Sequence, residues 1–258
     1  MKNIQIKVLN PDVIKEAEKM TIFTARLTQR GHKLKTMQDV MDLYEKDYSP
    51  KLVNGLMQLP HPTIQKFAAI NVVVVGASRR FLAQITRHQN EVKFMSASLQ
   101  YSDYSDNNDF CVPYEMIELG ERYERDYLNI CAEIMEAYKD TIEAGIEHDA
   151  AGYLAPQGLR NILVISATPY QWKHMIAQRT CRRNTKETRY VMLKIWEQLY
   201  EMSPVLFGQI TTGPSCMQSH CNEGKMSCGK IIEKDMTPSD ILKTDFPLMY
   251  KEELKHEN

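Results

Sequence analysis

The sequence predicts an α+β fold, a mixed sheet set among long helices. Two runs carry the sheet. Ala68 to Val75 is short, β-branched and bounded by Gly76, and "RNILVISATP" repeats the pattern near residue 160. Between them, residues 113–144 place Tyr, Leu, Ile and Met at three- and four-residue spacing, the period of a long helix. Strands separated by long helices, with helix dominant, give the class.

The remaining elements follow in order. Residues 11–30 read as a helix opened by Pro11 and Asp12 and ended by Gly31. Residues 36–58 are helical again, interrupted at Ser49-Pro50. After the first strand, Ser78 caps a helix that runs to about His88. "AGIEHDAAGYLAP" ends the long helix, and helices follow the second strand over about 171–178 and 185–202. The last 50 residues hold a Cys/Gly-rich loop and a polar tail. The expected organisation is one domain over 1–210 and this loop with its tail over 211–258.

Composition sets bounds on function. The 258 residues are 43% apolar and 25% charged, with a net charge of -1. That suits a globular chain able to bury a full core. Near-neutral charge, with little interleaving of aromatic and basic residues, argues against a nucleic-acid partner. The longest apolar run, near "INVVVVGA", falls well short of the roughly 20 residues that cross a bilayer. "MKNIQIKVLN" lacks the layout of a signal peptide, so a cytoplasmic protein without a membrane partner is expected. Its six cysteines are then thiols or metal ligands rather than disulfides.

Two segments concentrate chemistry. Arg80, Gln84, Arg87 and His88 fall at helical spacings that share a face, and a serine-rich loop with Ser96, Ser98, Ser102 and Ser105 follows. Arginine forks match phosphate, and the hydroxyls add neutral donors, so a nucleotide-like anion fits. No glycine-rich phosphate loop is present. The pattern also fits a plain amphipathic helix. The second segment, "HMIAQRTCRRNTKETR", carries His174, Arg179, Arg182, Arg183, Lys186 and Arg189. His174 and Arg179 are five apart, so either a helix ends between them or they serve different walls of a site. A charged helix start, with Arg183 paired to Glu187, is the alternative.

In order and distance, "PHPTIQKF", "GASRRFLAQITRHQ", "MSASLQYSD", "AGIEHDAAGYLAP" and "HMIAQRTCRRNTKETR" resemble the signature segments of the flavin-dependent thymidylate synthase family, over roughly residues 20–210. The resemblance implies that family's fold and its reductive methylation of dUMP to dTMP. Methylenetetrahydrofolate gives the carbon, FAD carries the hydride and NADPH reduces the flavin. It also implies a homotetramer with shared active sites, and no catalytic cysteine. Carried across by position, His61, Thr63, Arg87, His88, Gln89 and His174 lie at the flavin. Gln84, Arg87, Ser96, Ser98, Gln100 and Arg179 lie at dUMP, with Arg179 as the catalytic residue that stabilises charge on the uracil.

The departures matter as much. Gln89, Gln100 and Gly152 stand where the family has arginines, Lys66 and Ser96 where it has glutamates, Phe67 where it has a histidine, and His174 where it has an asparagine. Lost arginines remove charge-assisted bonds of about 1.5–3 kcal/mol each. Lys93, Arg79, Arg160 and Arg182 are candidates to replace them at a phosphate. Cys216, Cys221 and Cys228 lie within 13 residues, and Cys181 sits beside the proposed catalytic arginine. Together they make a four-thiolate candidate for structural zinc, with unliganded thiols as the alternative. Cys111 and Cys131 read as core residues. Three other readings stay open: the same fold acting on another pyrimidine nucleotide or at another carbon oxidation level, a zinc-containing nucleic-acid-binding protein, and a structural oligomer with a decayed site.

Overall fold

The structure is a computed structural model and describes residues 1–218 and 220–250. β1 (Gln5–Val8) leads into α1 (Asp12–Arg30), α2 (Met37–Glu45) and α3 (Pro50–Met57). A single turn of 3-10 helix, Pro62–Gln65, precedes β2 (Ile70–Ser78), α4 (Arg79–Ile85) and β3 (Val92–Ser96). Then come α5 (Tyr114–Leu119), α6 (Glu121–Glu143), α7 (His148–Ala151) and β4 (Arg160–Ala167). The chain continues through α8 (Pro169–Arg179), α9 (Lys186–Met202), α10 (Gln209–Thr212), α11 (Ser215–Gln218) and α12 (Pro238–Asp245).

The α+β class stands, with one correction. The sheet, ordered β1-β2-β4-β3, is antiparallel at every pairing rather than mixed. β2 and β3 run the same way but lie on either side of β4, so no two hydrogen-bonded neighbours are parallel. Two strands escape the sequence reading. β1 and β3 have four and five residues, and β3 occupies part of what reads as the serine-rich loop.

The sheet turns one face inward. Val72, Val74, Leu163 and Ile165 are fully buried, as is the partner stripe of α9 from Val191 through Leu199. Trp172 and Trp196 anchor this core, and each indole N–H donates to a backbone carbonyl, Ile70 O at 3.1 Å and Phe207 O at 2.8 Å. A second cluster under α6 gathers Leu99, Tyr104, Phe110, Cys131, Met135 and Tyr138. Cys111 and Cys131 are core residues, as expected.

Local chemistry places the ends. The 113–144 pattern is two helices, because Gly120 takes φ +103° between α5 and α6. Gly76 takes φ +83° at the irregularity of β2, packed against Asn3 O and the Arg160 guanidinium. The tail is not only polar. Thr237 and Asp240 form a capping box at the start of α12, and Ile241, Leu242, Phe246 and Met249 join the main core.

Candidate active site

The strand-to-helix joint of β2 and α4 is locked from a distance. Ser78 Oγ accepts from Phe81 N at 3.1 Å, while Ser78 N and Oγ both donate to the Glu187 carboxylate at 2.7 and 2.6 Å. Glu187 therefore does not serve Arg183 as the charged-helix alternative has it; Arg183 faces Glu223 instead, at 3.7 Å. α4 ends at Ile85, three residues earlier than expected. The turn that follows separates the pair: Arg87 stays exposed, whereas His88 swings inward to 7% exposure. The shared helical face expected for Arg80, Gln84, Arg87 and His88 is therefore broken, with Arg80 exposed as well.

His88 meets Arg179, which ends α8. Arg179 Nε donates to His88 Nε2 at 2.8 Å and Nη2 to Gln84 O at 2.9 Å, with Asn184 Oδ1 at 3.4 Å from Nη1. A guanidinium only donates, so His88 Nε2 offers its lone pair and Nδ1 carries the proton. Burial, then the charges of Arg179 and His174, push the His88 imidazole down to about 4. The ring is neutral at pH 7. Burial, with help from Arg87, also lowers Arg179 from its ordinary value.

His174 and Arg179 both lie on α8 and border one cavity of about 600 Å³, with Gln178 and Asn184. No helix end divides them. The His174 ring stands edge-on to His88 at 5.9 Å, and its Nε2 lies 3.1 Å from Gln178 Nε2. His88, His174, Arg179 and the backbone carbonyl of Gln84 thus come together, with the charge of Arg87 close enough to act on Arg179.

The other expected residues lie elsewhere. His61 and Thr63 border an apolar cavity of about 740 Å³ between α1 and the Pro62–Gln65 turn, with Phe67 on its rim. Ser96 faces Arg79, Thr86 and Gln157 across a cavity of about 450 Å³. Ser98 Oγ accepts from Gln100 N at 3.1 Å in a local turn, and Gln89 and Gln100 are exposed.

Two of the four replacement cations are already used. Arg160 pairs with Asp109 at 2.7 Å and donates to Gly76 O and Lys2 O. Arg182 is bidentate to Asp245 at 2.9 and 3.0 Å and reaches Lys230 O and Ile231 O. Arg189 also joins Asp245. Arg79, half-buried, and Lys93, exposed, remain.

Cys181, Cys216, Cys221 and Cys228 do surround one cavity, of only about 20 Å³. Yet among the described residues no three His, Cys, Asp or Glu side chains are set to hold a metal ion. The four-thiolate arrangement expected from spacing is not formed as the side chains stand, and Cys228 instead turns its thiol to Lys230 O at 3.7 Å.

Sequence reasoning misses Asn184, which braces Arg179 and donates to Gln178 O at 2.7 Å. It also misses Lys173, a lysine in the buried stripe of α8 beside Trp172. That break in an apolar stripe is the signal that marks it.

The family model for thymidylate synthase complementing protein matches residues 11–205, about three quarters of the chain. The flavin-dependent thymidylate synthase of Thermococcus onnurineus is 26% identical over 191 residues, 71% of this chain and 76% of that one. The enzyme of the same name from Clostridium tetani is 25% identical over 251 residues, 90% and 96% of the two chains. Two solved structures share the fold. A UMP/dUMP methylase, PolB, from Streptomyces cacaoi aligns with TM-score 0.67 at 16% identity, over 82% of this chain and 96% of that one. Thymidylate Synthase X from Helicobacter pylori, solved with FAD and dUMP, aligns with TM-score 0.58 at 15% identity, over 80% and 97%. The chain belongs to the flavin-dependent thymidylate synthase family.

Proposed function

We propose that the protein methylates C5 of dUMP, with methylenetetrahydrofolate as carbon donor, FAD as hydride carrier and NADPH as reductant. One observation carries the reading. Among the described residues, Arg179 is a half-buried cation that hydrogen-bonds to neutral acceptors only, His88 Nε2, Gln84 O and Asn184 Oδ1. No carboxylate among them pairs with it, and it borders a cavity large enough for a nucleotide base, which Glu223, the partner of Arg183, also lines.

The residues fit a flavin. A polar cavity beside Arg179 and a neighbouring one of about 370 Å³ share His174, Ala177 and Gln218, so a long ligand has a continuous wall. His61, Thr63, Arg87, His88, Gln89 and His174 would hold it. When bound, FAD supplies the hydride chemistry. The chain supplies position and field. Arg179 stabilises negative charge on a bound uracil, and neutral His88 fixes the guanidinium by accepting from Nε. Gln84, Arg87, Ser96, Ser98 and Gln100 are assigned to the nucleotide, with Arg79 as the phosphate cation that the lost arginines require. Ser96 and Ser98 sit apart from Arg179 within one chain, which supports a site completed by other copies in a homotetramer.

Purified protein should take up FAD with the flavin absorbance band, and the band should shift on dUMP titration. Tetrahydrofolate and dTMP should both appear from dUMP, methylenetetrahydrofolate and NADPH. Arg179→Ala should retain FAD and lose about 10²–10³-fold in turnover, the usual cost of one oxyanion-stabilising donor; near-normal turnover would refute its role.

The neutral Gln89 and Gln100 support a second reading, another pyrimidine nucleotide as substrate. Parallel assays with UMP decide it: preference for UMP in kcat/KM replaces dUMP.

A further inference from the structure

Four of the six cysteines meet at one place. Cys181 comes from the turn between α8 and α9, Cys216 from α11, and Cys221 and Cys228 from the loop that follows. They border a cavity of about 20 Å³, room for about one water molecule. All four are free thiols. Hydrogen bonds bracket two of them together. Arg182 Nη1 donates to Lys230 O at 3.0 Å and Ile231 O at 3.2 Å, and Arg183 Nη1 donates to Met226 O. The two residues after Cys181 thus hold the backbone on both sides of Cys228. The Cys228 thiol turns to that same Lys230 O, at 3.7 Å. Burial raises the Cys181 thiol above its ordinary range; the Arg183 N–H opposes this, and Glu223, Cys228 and Cys216 add to it. Cys228 is therefore near enough for its charge to be felt at Cys181. Cys216 packs against the main core, whereas Cys228 is exposed and open to an oxidant in solution.

We propose that Cys181 and Cys228 are a redox-active pair, which a disulfide oxidant such as glutathione disulfide closes into a latch between the Cys-rich loop and the turn behind Arg179. The Cys228 thiolate attacks one sulfur of glutathione disulfide, whose S–S bond breaks and releases one glutathione thiolate. Cys181 gives up its proton to solvent and attacks Cys228 Sγ. The mixed disulfide breaks, and the second glutathione leaves. Two protein thiols are oxidised to one disulfide, and one glutathione disulfide is reduced to two glutathiones. The latch lies on the wall of the candidate active site. Cys181, Arg183, Ser215 and Glu223 line both this cavity and the one that Arg179 borders. Cys181 O accepts from Asn184 N at 2.9 Å, and Asn184 braces Arg179. A bond at Cys181 pins the turn that holds this brace.

The test treats the full chain with glutathione disulfide, alkylates it while folded and maps its peptides by mass spectrometry. Wild type should show a Cys181–Cys228 cross-link that dithiothreitol reverses, with Cys216 and Cys221 still alkylated. Cys181→Ser should instead accumulate glutathione on Cys228, since no second thiol displaces it. Trypsin should cut after the exposed Lys225 about threefold or more slowly in the cross-linked protein than in the reduced one, because the bond restrains opening of the loop. Cys181→Ser should show no such protection. Serine nearly matches cysteine in size, and an unchanged Tm shows that the variant folds; the wild-type map decides the pairing in either case. The pair is refuted if both thiols stay free, or if the bond joins other cysteines. It is equally refuted if the four thiols resist alkylation and zinc co-purifies with the chain. Equal tryptic rates in the two forms refute the latch.

Discussion

At His88 the chain buries an imidazole against one cation and beside a second imidazole. Burial first, then Arg179 and His174, favour the neutral ring and lower its pKa to about 4 from 6.5. The unfolded chain then binds a proton that the folded chain refuses between those values. The contribution to stability is complete above about 6.5 and fades as pH falls through about 4. Tm should therefore drop as pH is lowered across that window at constant salt, and His88→Gln should flatten this slope. An unchanged slope in the variant would show that another group governs it. Arg179→Lys belongs to the same scale. One ammonium cannot reach His88 Nε2 and Gln84 O in the fixed fork of a guanidinium, so turnover should fall with FAD still bound.

Elements hold these residues in place by contacts far along the chain. Asp245, near the end of α12, receives both Arg182 and Arg189, and Arg189 is only 5% exposed. Asp245→Ala leaves a buried guanidinium unpaired, and urea unfolding should show a loss of about 3–5 kcal/mol. At β2, a Cβ on Gly76 would stand 2.6 Å from Arg160 Nη1 and 3.0 Å from Asn3 O, at a positive φ. Gly76→Ala should cost about 1–3 kcal/mol in the same assay. The long helices α1, α6 and α9 are legible because their apolar period repeats over several turns. β1 and β3 are not, since four or five residues cannot show a period. α12 carries its signal, "TPSD", in the capping box, but the polar residues around it mask the helix.

Across the whole molecule, the outer face of the sheet carries Val73, Val75, Met95, Ile162 and Val164, with Met95 75% and Ile162 51% exposed. An apolar strip on the open side of a sheet suits contact with another copy. Light scattering should give four times the 29.9 kDa chain mass. Met95→Lys with Ile162→Glu should shift it toward smaller species, and an unchanged tetramer would place the interface elsewhere. Among the described residues no helix is long and apolar enough to cross a membrane.

Sequence alone determined the α+β class, the major helices and the family, because each rests on residue type at short spacing. It put Arg87 and His88 on one helical face and could not choose among four phosphate cations. Tertiary structure decided the first and halved the second. The end of α4 turns His88 onto Arg179, 91 residues away. Asp109 and Asp245 consume Arg160 and Arg182. The four cysteines are gathered without forming a ligand set, and Lys173 is left buried against the Met57 thioether. Which donor meets which acceptor depends on packing between distant segments, and local patterns do not carry that information.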